Sequence, residues 1–322
     1  MILDQGKHMK RRELITLLGG ATAWSFAARA QQQTKMRRVG GLLLGNADAE
    51  SFRKELRQEL SKSGFVEGQN LIFDIRSAEG KLDRLPAFAA EMVGLKVDVI
   101  VAVFTPCALA AQQATREIPI VVITADPVGS GLVTSLARPG GNITGVSLMA
   151  PELHGKCVEL FRDMLPSLKR VAALSNAADP SWEAILEQIQ LAGKIDGIEI
   201  APTALVHGLN EVDAAFAAMK KEGADAVVIQ GSLSTKDVAE LAIKHRLPAA
   251  TVPRAFAEVG GLMSYGAAGP ESFRRIATFV IKILQGSKPA ELPVEQPTKF
   301  ELVINVKTAP FFQGPMKTLH RA

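Results

Sequence analysis

Ten residues of this chain, most of them polar or aromatic, stand close behind stretches that read as buried strands. They are Asn46, Phe104, Thr105, Pro106 and Asp126 in the first half of the chain, and Asn176, Trp182, Gln230, Ser232 and Arg254 in the second half. In open parallel sheets, ligands bind outside the carboxyl ends of the strands. The ten residues are therefore candidates for the lining of a ligand-binding cleft.

The segment VFTPCALA (103–110) turns an apolar strand directly into a helix. Thr105 suits the N-cap of that helix, and Pro106 suits its first turn. A helix that begins there directs unpaired N–H groups and its positive dipole end toward the cleft, where a ligand carboxylate would fit. The alternative is that Thr105 only caps its own helix. Both roles are compatible if the hydroxyl caps and the backbone binds.

Three other candidates carry distinct chemistry. Trp182 opens a helix and could stack on a planar ligand or form an apolar wall, but it also suits a half-buried packing role. Arg254 could bind an anion with two parallel hydrogen bonds, or it could be a solvated surface arginine. Asp126 precedes a proline and could accept a hydrogen bond from a ligand amine or hydroxyl, or it could simply shape a turn.

The elements behind these residues alternate between apolar strands and amphipathic helices from Arg37 onward. The strand RVAALSN (170–176) echoes RVGGLLLGN (38–46), and the stretch 216–231 echoes 88–104. We therefore predict an α/β protein with two similar doubly wound lobes, each built on a parallel sheet. The alternative is that strand–helix–strand units resemble one another by chance.

The chain continues past the second lobe with one more helix and one more strand. The simplest placement returns the helix to lobe 1 and the strand to lobe 2, which makes three crossings between the lobes, near 145, 258 and 290. The predicted boundaries are lobe 1 at 37–145 plus 258–288 and lobe 2 at 146–257 plus 289–322. Three parallel connections predict a hinge.

The N-terminus has the pattern of an export signal. Lys10-Arg11-Arg12 precedes an apolar run, and Ala28-Arg29-Ala30 forms an A-x-A cleavage site, so residues 1–30 are predicted to be a signal peptide cleaved after Ala30. The adjacent arginines also suit the twin-arginine export route. The alternative is a buried N-terminal helix. No other run of the sequence is long and apolar enough to predict a membrane span.

Composition and motifs exclude several classes of function. The 322 residues are 47% hydrophobic and 22% charged, and the net charge of +4 falls to +1 without residues 1–30, so no nucleic-acid-binding face is expected. The two cysteines, Cys107 and Cys157, match no metal motif. No dinucleotide or phosphate loop and no catalytic triad is visible, and the five scattered histidines (8, 154, 207, 245 and 320) suit packing or surface positions. We predict no enzyme, no cofactor and no metal.

At this point the sequence resembles a known family, the ABC-transporter solute-binding proteins of the tryptophan/tyrosine-binding type, which have the type I periplasmic-binding fold. The matching stretches include GFVEGQNLIFDIR, TPCALAAQQAT, IPIVVITADPVGSGLVTSLARPGGNITGVS and LPVEQPTKFELVINVKTA, and together they cover most of 38–309. Two features depart from the family pattern. The tail PFFQGPMKTLHRA replaces a Leu-Gly-Leu segment and a short helix, and Cys107 stands where a small residue is common.

The resemblance implies a periplasmic receptor of an ABC importer that closes two lobes on a small organic solute, an amino acid or an aromatic or carboxylate compound. It implies a permease and an ATPase at the inner membrane as partners, and we expect a monomer. The alternative is a periplasmic sensor of the same fold that signals to a membrane protein instead of feeding a permease.

Overall fold

The computed structural model describes residues 36–267 and 269–312. The predicted signal peptide and its cleavage site lie outside the described residues, as does most of the unusual tail. Within these ranges no helix has both the length and the apolar character needed to cross a membrane.

Lobe 1 is built on a five-stranded parallel sheet in the order β2-β1-β3-β4-β5. Its strands are β1 (Arg37–Leu43), β2 (Leu71–Ser77), β3 (Val99–Val103), β4 (Ile120–Thr124) and β5 (Ile143–Ser147). Three helices connect them: α1 (Asn46–Lys62), α2 (Leu85–Gly94) and α3 (Thr105–Ala114). The strands β3 and β4 are buried along their whole length, because helices cover both faces of the sheet.

Lobe 2 repeats the same strand order with one addition. Its strands are β6 (Arg170–Asn176), β7 (Glu199–Val206), β8 (Ala226–Ile229), β9 (Ala249–Thr251), β10 (Met263–Ala267) and β11 (Phe300–Ile304). The order is β11-β10-β9-β8-β6-β7, in which only the β10–β11 pairing is antiparallel. Its helices are α4 (Ala150–Met164), α5 (Trp182–Asp196), α6 (Val212–Lys221), α7 (Lys236–Lys244) and α8 (Arg254–Glu258). The fold is therefore α/β with two similar sheets, as the sequence predicted.

Each sheet lies between two apolar clusters. In lobe 1, α2 and α3 pack against one face, and Phe52 of α1 packs against the other. In lobe 2, Phe161 of α4 and Ile189 of α5 cover one face, and Phe216 of α6 covers the opposite face. These buried side chains fix the strand ends, and with them the positions of the residues that follow each strand.

The three connections between the sheets lie later in the chain than predicted. The strand β5 extends lobe 1 to Ser147. The strand β10 joins the second sheet, because Met263 pairs with Ala250 of β9, so the range predicted as 258–288 of lobe 1 begins in lobe 2. The helix α9 (Gly269–Leu284) then packs on lobe 1 through Ile276 and Val280.

The last connection follows a short return to the first sheet. The backbone of Glu295 bonds on both sides to β5, accepting from Ser147 N at 2.9 Å and donating to Gly145 O at 2.9 Å. Only afterwards does the chain enter β11, so the range predicted as 289–322 of lobe 2 begins in lobe 1. The sequence pattern does not predict this return to the first sheet, because the pairing is a single bridge between Val146 and Glu295 and involves no apolar run of strand length.

Candidate ligand-binding cleft

The carboxyl ends of the two sheets face a common cleft. Its volume is about 320 Å³ when the part open to solvent is included. The lining residues are Phe104, Thr105, Ala125, Leu148, Ala150, His154, Asp179, Ile185, Gln230, Gly231, Ser232, Val252 and Pro253. Four of the ten residues predicted from the sequence lie in this lining: Phe104, Thr105, Gln230 and Ser232.

The lobe 1 wall is formed where β3 turns into α3. Phe104 caps α3 with φ of 75° and ψ of 153°, a region that is nearly restricted to glycine. Its N–H donates to Ile123 O at 2.7 Å, and its carbonyl accepts from Ala108 N at 3.1 Å, so the conformation is fixed from both sides. Thr105 is therefore the first helical residue and Pro106 the second, whereas the sequence predicted Thr105 as the cap. The strained backbone carries the Phe104 ring into the cleft.

The two lobes touch directly at this point. Thr105 Oγ1 lies 3.2 Å from Ser181 Oγ, the residue before α5, and both side chains are buried. The contact brings the N-termini of α3 and α5 together across the cleft. Two positive dipole ends that meet in this way favour an anionic group between or beside them.

The lobe 2 wall carries a buried acid. Asp179 is 3% exposed, and its Oδ1 accepts a hydrogen bond from Ser181 N at 3.1 Å. Burial raises the pKa of Asp179. Ser181 and the nearby side chains of Ser232 and Gln230 lower this pKa by a smaller amount. No cation of the described residues compensates its charge. A buried carboxylate without a cationic partner is a candidate for contact with a ligand cation.

Two further lobe 2 side chains bring unused hydrogen-bonding atoms to the cleft. Gln230 is anchored by its Oε1, which accepts from Asn176 N at 2.8 Å. Its Nε2 and the Ser232 hydroxyl are buried and make no hydrogen bond of normal geometry within the described residues. Buried polar atoms of this kind are rarely left unpaired, so both are candidates for ligand contacts.

His154 completes the lobe 2 wall. It is fully buried, its Nδ1 lies 2.6 Å from Ala150 O, and its Nε2 lies 3.2 Å from Ile229 O. Burial is the largest cause that lowers the pKa of His154 to about 4, so the ring is neutral at pH 7. A neutral imidazole donates from only one nitrogen, so it bonds one of these two carbonyls at a time.

The other predicted residues are placed as follows. Asp126 accepts from Val128 N and Gly129 N at 3.0 Å each, which closes a turn. Arg254 pairs with Glu258 and Glu301, each at 2.7 Å, outside the lining. Trp182 is half-buried and begins α5. The backbone N–H of Asn176 donates to the side chain of Gln230. Pro106 is buried in the first turn of α3, and Asn46 begins α1.

The ten residues selected from the sequence do not include Asp179, Ser181 or His154. Asp179 and Ser181 lie in the stretch NAADPSW (176–182), which begins at the last residue of β6 and is a strand-end signal of the kind that selected Asn176. His154 stands within α4, away from any strand end, and no sequence signal marks it. Among the described residues, no group of three or more metal-ligating side chains could hold a metal ion.

Two α/β lobes with a cleft between the carboxyl ends of their sheets are the architecture of the type I periplasmic-binding fold. A family model described as ABC transporter substrate binding protein matches residues 46–312. The chain therefore belongs to the ABC transporter substrate-binding protein family. This is a family of solute-binding proteins and not of enzymes.

Similar proteins and solved structures agree with this assignment. A tyrosine-binding protein of Clostridioides difficile is 25% identical over 279 residues, which are 85% of this chain and 80% of that protein. A conserved domain protein of Vibrio cholerae has a TM-score of 0.78 at 28% identity and covers 86% of this chain and 94% of its own. A Streptococcus pneumoniae ABC domain in complex with L-Trp has a TM-score of 0.77 at 25% identity, over 85% and 93%.

Proposed function

We propose that this protein is the periplasmic solute receptor of an ABC importer and that its solute is an α-amino acid with an apolar or aromatic side chain. The observation that carries the proposal is the buried carboxylate of Asp179, which faces the cleft without a compensating cation. An α-ammonium group would supply that charge and form a charge-assisted hydrogen bond.

The carboxylate of an amino acid also has a place in the cleft. The N-terminus of α3 meets the cleft at Thr105, the first residue of the helix. A ligand carboxylate there would interact with the positive end of the helix dipole. Lobe 1 would then hold the carboxylate while lobe 2 holds the ammonium, and a zwitterion would bridge the two lobes.

Much of the remaining lining is apolar and suits a hydrophobic side chain. Phe104, Leu148 and Val252 belong to this apolar lining, and the Phe104 ring could stack on an aromatic ligand. Relatives that bind tyrosine or tryptophan support an aromatic solute.

The mechanism follows from the two-sided site. A solute that contacts both lobes only when they are closed shifts the open–closed equilibrium by its greater affinity for the closed form. The closed, loaded form would dock on a membrane permease driven by an ATPase. The family supports these partners and an exported location.

The test is isothermal titration calorimetry of the chain from Gln31 with the twenty L-amino acids, followed by analogues of the strongest ligand. We expect an aromatic or branched amino acid to bind, and we expect its analogue without the amino group to bind at least about a hundredfold more weakly. Equal affinity for the two would contradict the role of Asp179. No binding by any amino acid would contradict the solute class.

A further inference from the structure

The contact between Thr105 and Ser181 joins parts of the chain that belong to different lobes. Thr105 opens α3 on the first sheet, and Ser181 precedes α5 on the second sheet. Their hydroxyl oxygens are 3.2 Å apart. Thr105 is 1% exposed to solvent and Ser181 is 5% exposed. A rotation of one lobe away from the other would separate this buried pair.

The lobe 2 side of this contact is held in place by its neighbour. Asp179 Oδ1 accepts a hydrogen bond from Ser181 N at 3.1 Å. Either hydroxyl of the Thr105–Ser181 pair can be the donor, because a hydroxyl both donates and accepts. The result is a chain of contacts from Thr105 to Ser181 to Asp179, which crosses from lobe 1 to lobe 2.

We propose that Thr105 and Ser181 form a latch, a hydrogen bond between two hydroxyls of different lobes that exists only in the closed state and strengthens closure on every solute alike. The inference rests on the proposed function, since it assigns a positioning role at the same cleft. The latch acts on the open–closed equilibrium, and the Phe104 wall and the lobe 2 polar groups determine which solute is selected.

A second lobe contact shows how closely the surfaces fit when the latch is formed. Gly80, at φ of 78°, lies against Leu209 of lobe 2, and a Cβ on Gly80 would stand 2.7 Å from Leu209 Cδ1. The latch therefore lies within an extended closed interface. In the open form both hydroxyls regain water, so the net contribution of their bond to closure is about two- to tenfold.

The experiment is a double-mutant cycle with Thr105→Val, Ser181→Ala and the double variant, and with Thr105→Ser as the conservative control. Calorimetry measures the affinity of each protein for two different solutes from the panel. Pulsed electron paramagnetic resonance measures the distance between spin labels introduced at the exposed positions Glu117 of lobe 1 and Lys236 of lobe 2, with and without solute. Thermal unfolding establishes that each variant is folded.

We expect each single variant to weaken both solutes by the same factor, about five- to a hundredfold, because its partner hydroxyl stays buried without its bond in the closed state. The loss of affinity in the double variant should be smaller than the product of the losses in the two single variants. The affinity of the Thr105→Ser variant should match that of the unmodified protein. The latch variants should also shift the label distances toward the open form.

Three results would overturn the latch. If the factors by which the two single variants lose affinity multiply in the double variant, the hydroxyls do not act as a pair. Losses that differ between solutes would make them ligand contacts instead. Unchanged affinities and distances would show that the bond contributes nothing to closure. Because the distances are also measured without solute, a shift there supports the latch even if the amino-acid panel fails, which separates the two proposals.

Discussion

The two lobes share a strand order but bring different chemistry to the cleft. Lobe 1 supplies shape and a helix end: the ring of Phe104, the first turn of α3 and Ala125. Lobe 2 supplies charge and hydrogen bonds: Asp179, Gln230, Ser232 and His154. Among the described lining residues, none from lobe 1 is ionisable. The two lobes therefore have similar folds, but the residues that follow their strand ends bring different interactions to the cleft.

Two aspartates show how the same residue type behaves differently in the two lobes. Asp126 follows β4 of lobe 1, is partly exposed, and is occupied by two backbone N–H groups of its own turn. Asp179 follows β6 of lobe 2, is buried, and has no compensating cation among the described residues. The difference is one of environment, and it makes only the second aspartate a candidate for binding a ligand ammonium.

The largest expected effect comes from neutralising the lobe 2 aspartate. Asp179→Asn should weaken an amino-acid ligand by at least about a hundredfold, because the ammonium loses a buried charged partner. The unliganded protein should be as stable as before or more stable, because an uncompensated buried carboxylate is removed while the amide oxygen still accepts from Ser181 N. Calorimetry and thermal unfolding measure the two effects.

The matched control is Asp126→Asn in lobe 1. It should change solute affinity less than about twofold, because Asp126 is engaged in a turn outside the cleft lining. Equal losses for the two variants would remove the distinction between the lobes.

An effect of similar size concerns acid stability. The pKa of His154 is about 4 in the folded protein against an ordinary value of 6.5, so the stability that depends on its neutral form is complete above pH 6.5 and is lost as the pH falls to about 4. At pH 4 the loss is about 3 kcal/mol of unfolding free energy. His154→Gln should remove this component.

Urea unfolding between pH 7 and pH 4 measures this pH-dependent component as the difference between the unmodified protein and the His154→Gln variant. The subtraction cancels Asp179, whose raised pKa acts in the opposite direction and favours the folded state as the pH falls. His207→Gln, at an exposed site, is the control for replacing a histidine outside the core. A His154→Gln protein with the same acid loss as the unmodified protein would contradict the assignment.

The smallest effect concerns the strained backbone of lobe 1. Phe104→Ala removes the ring and keeps the unfavourable φ, while Phe104→Gly removes the ring and relieves the strain. We expect the glycine variant to be the more stable of the two by about 1–3 kcal/mol, the reverse of the usual order. Chemical denaturation of both variants measures the difference. An alanine variant at least as stable as the glycine variant would show that Phe104 is not strained.

The sequence predicted the duplicated fold and the edge of the sheets where the cleft lies, because strand–helix alternation fixes where parallel strands end. It therefore found Phe104, Thr105, Gln230 and Ser232 among the lining residues. It could not supply contacts made between distant elements. The ion pair of Arg254 with Glu301 of β11 is one example, and the meeting of Thr105 with Ser181 is another. Local patterns also do not report burial, which gives Asp179 and His154 their character.

The central claim is that a zwitterionic solute bridges the lobes, with its ammonium on lobe 2 and its carboxylate on lobe 1. A crystal structure with the strongest amino-acid ligand tests it most directly. The account predicts the ligand nitrogen within hydrogen-bond distance of the Asp179 carboxylate and the ligand carboxylate at the first turn of α3. A ligand that makes no contact with Asp179, or one bound in the reverse orientation, would contradict it.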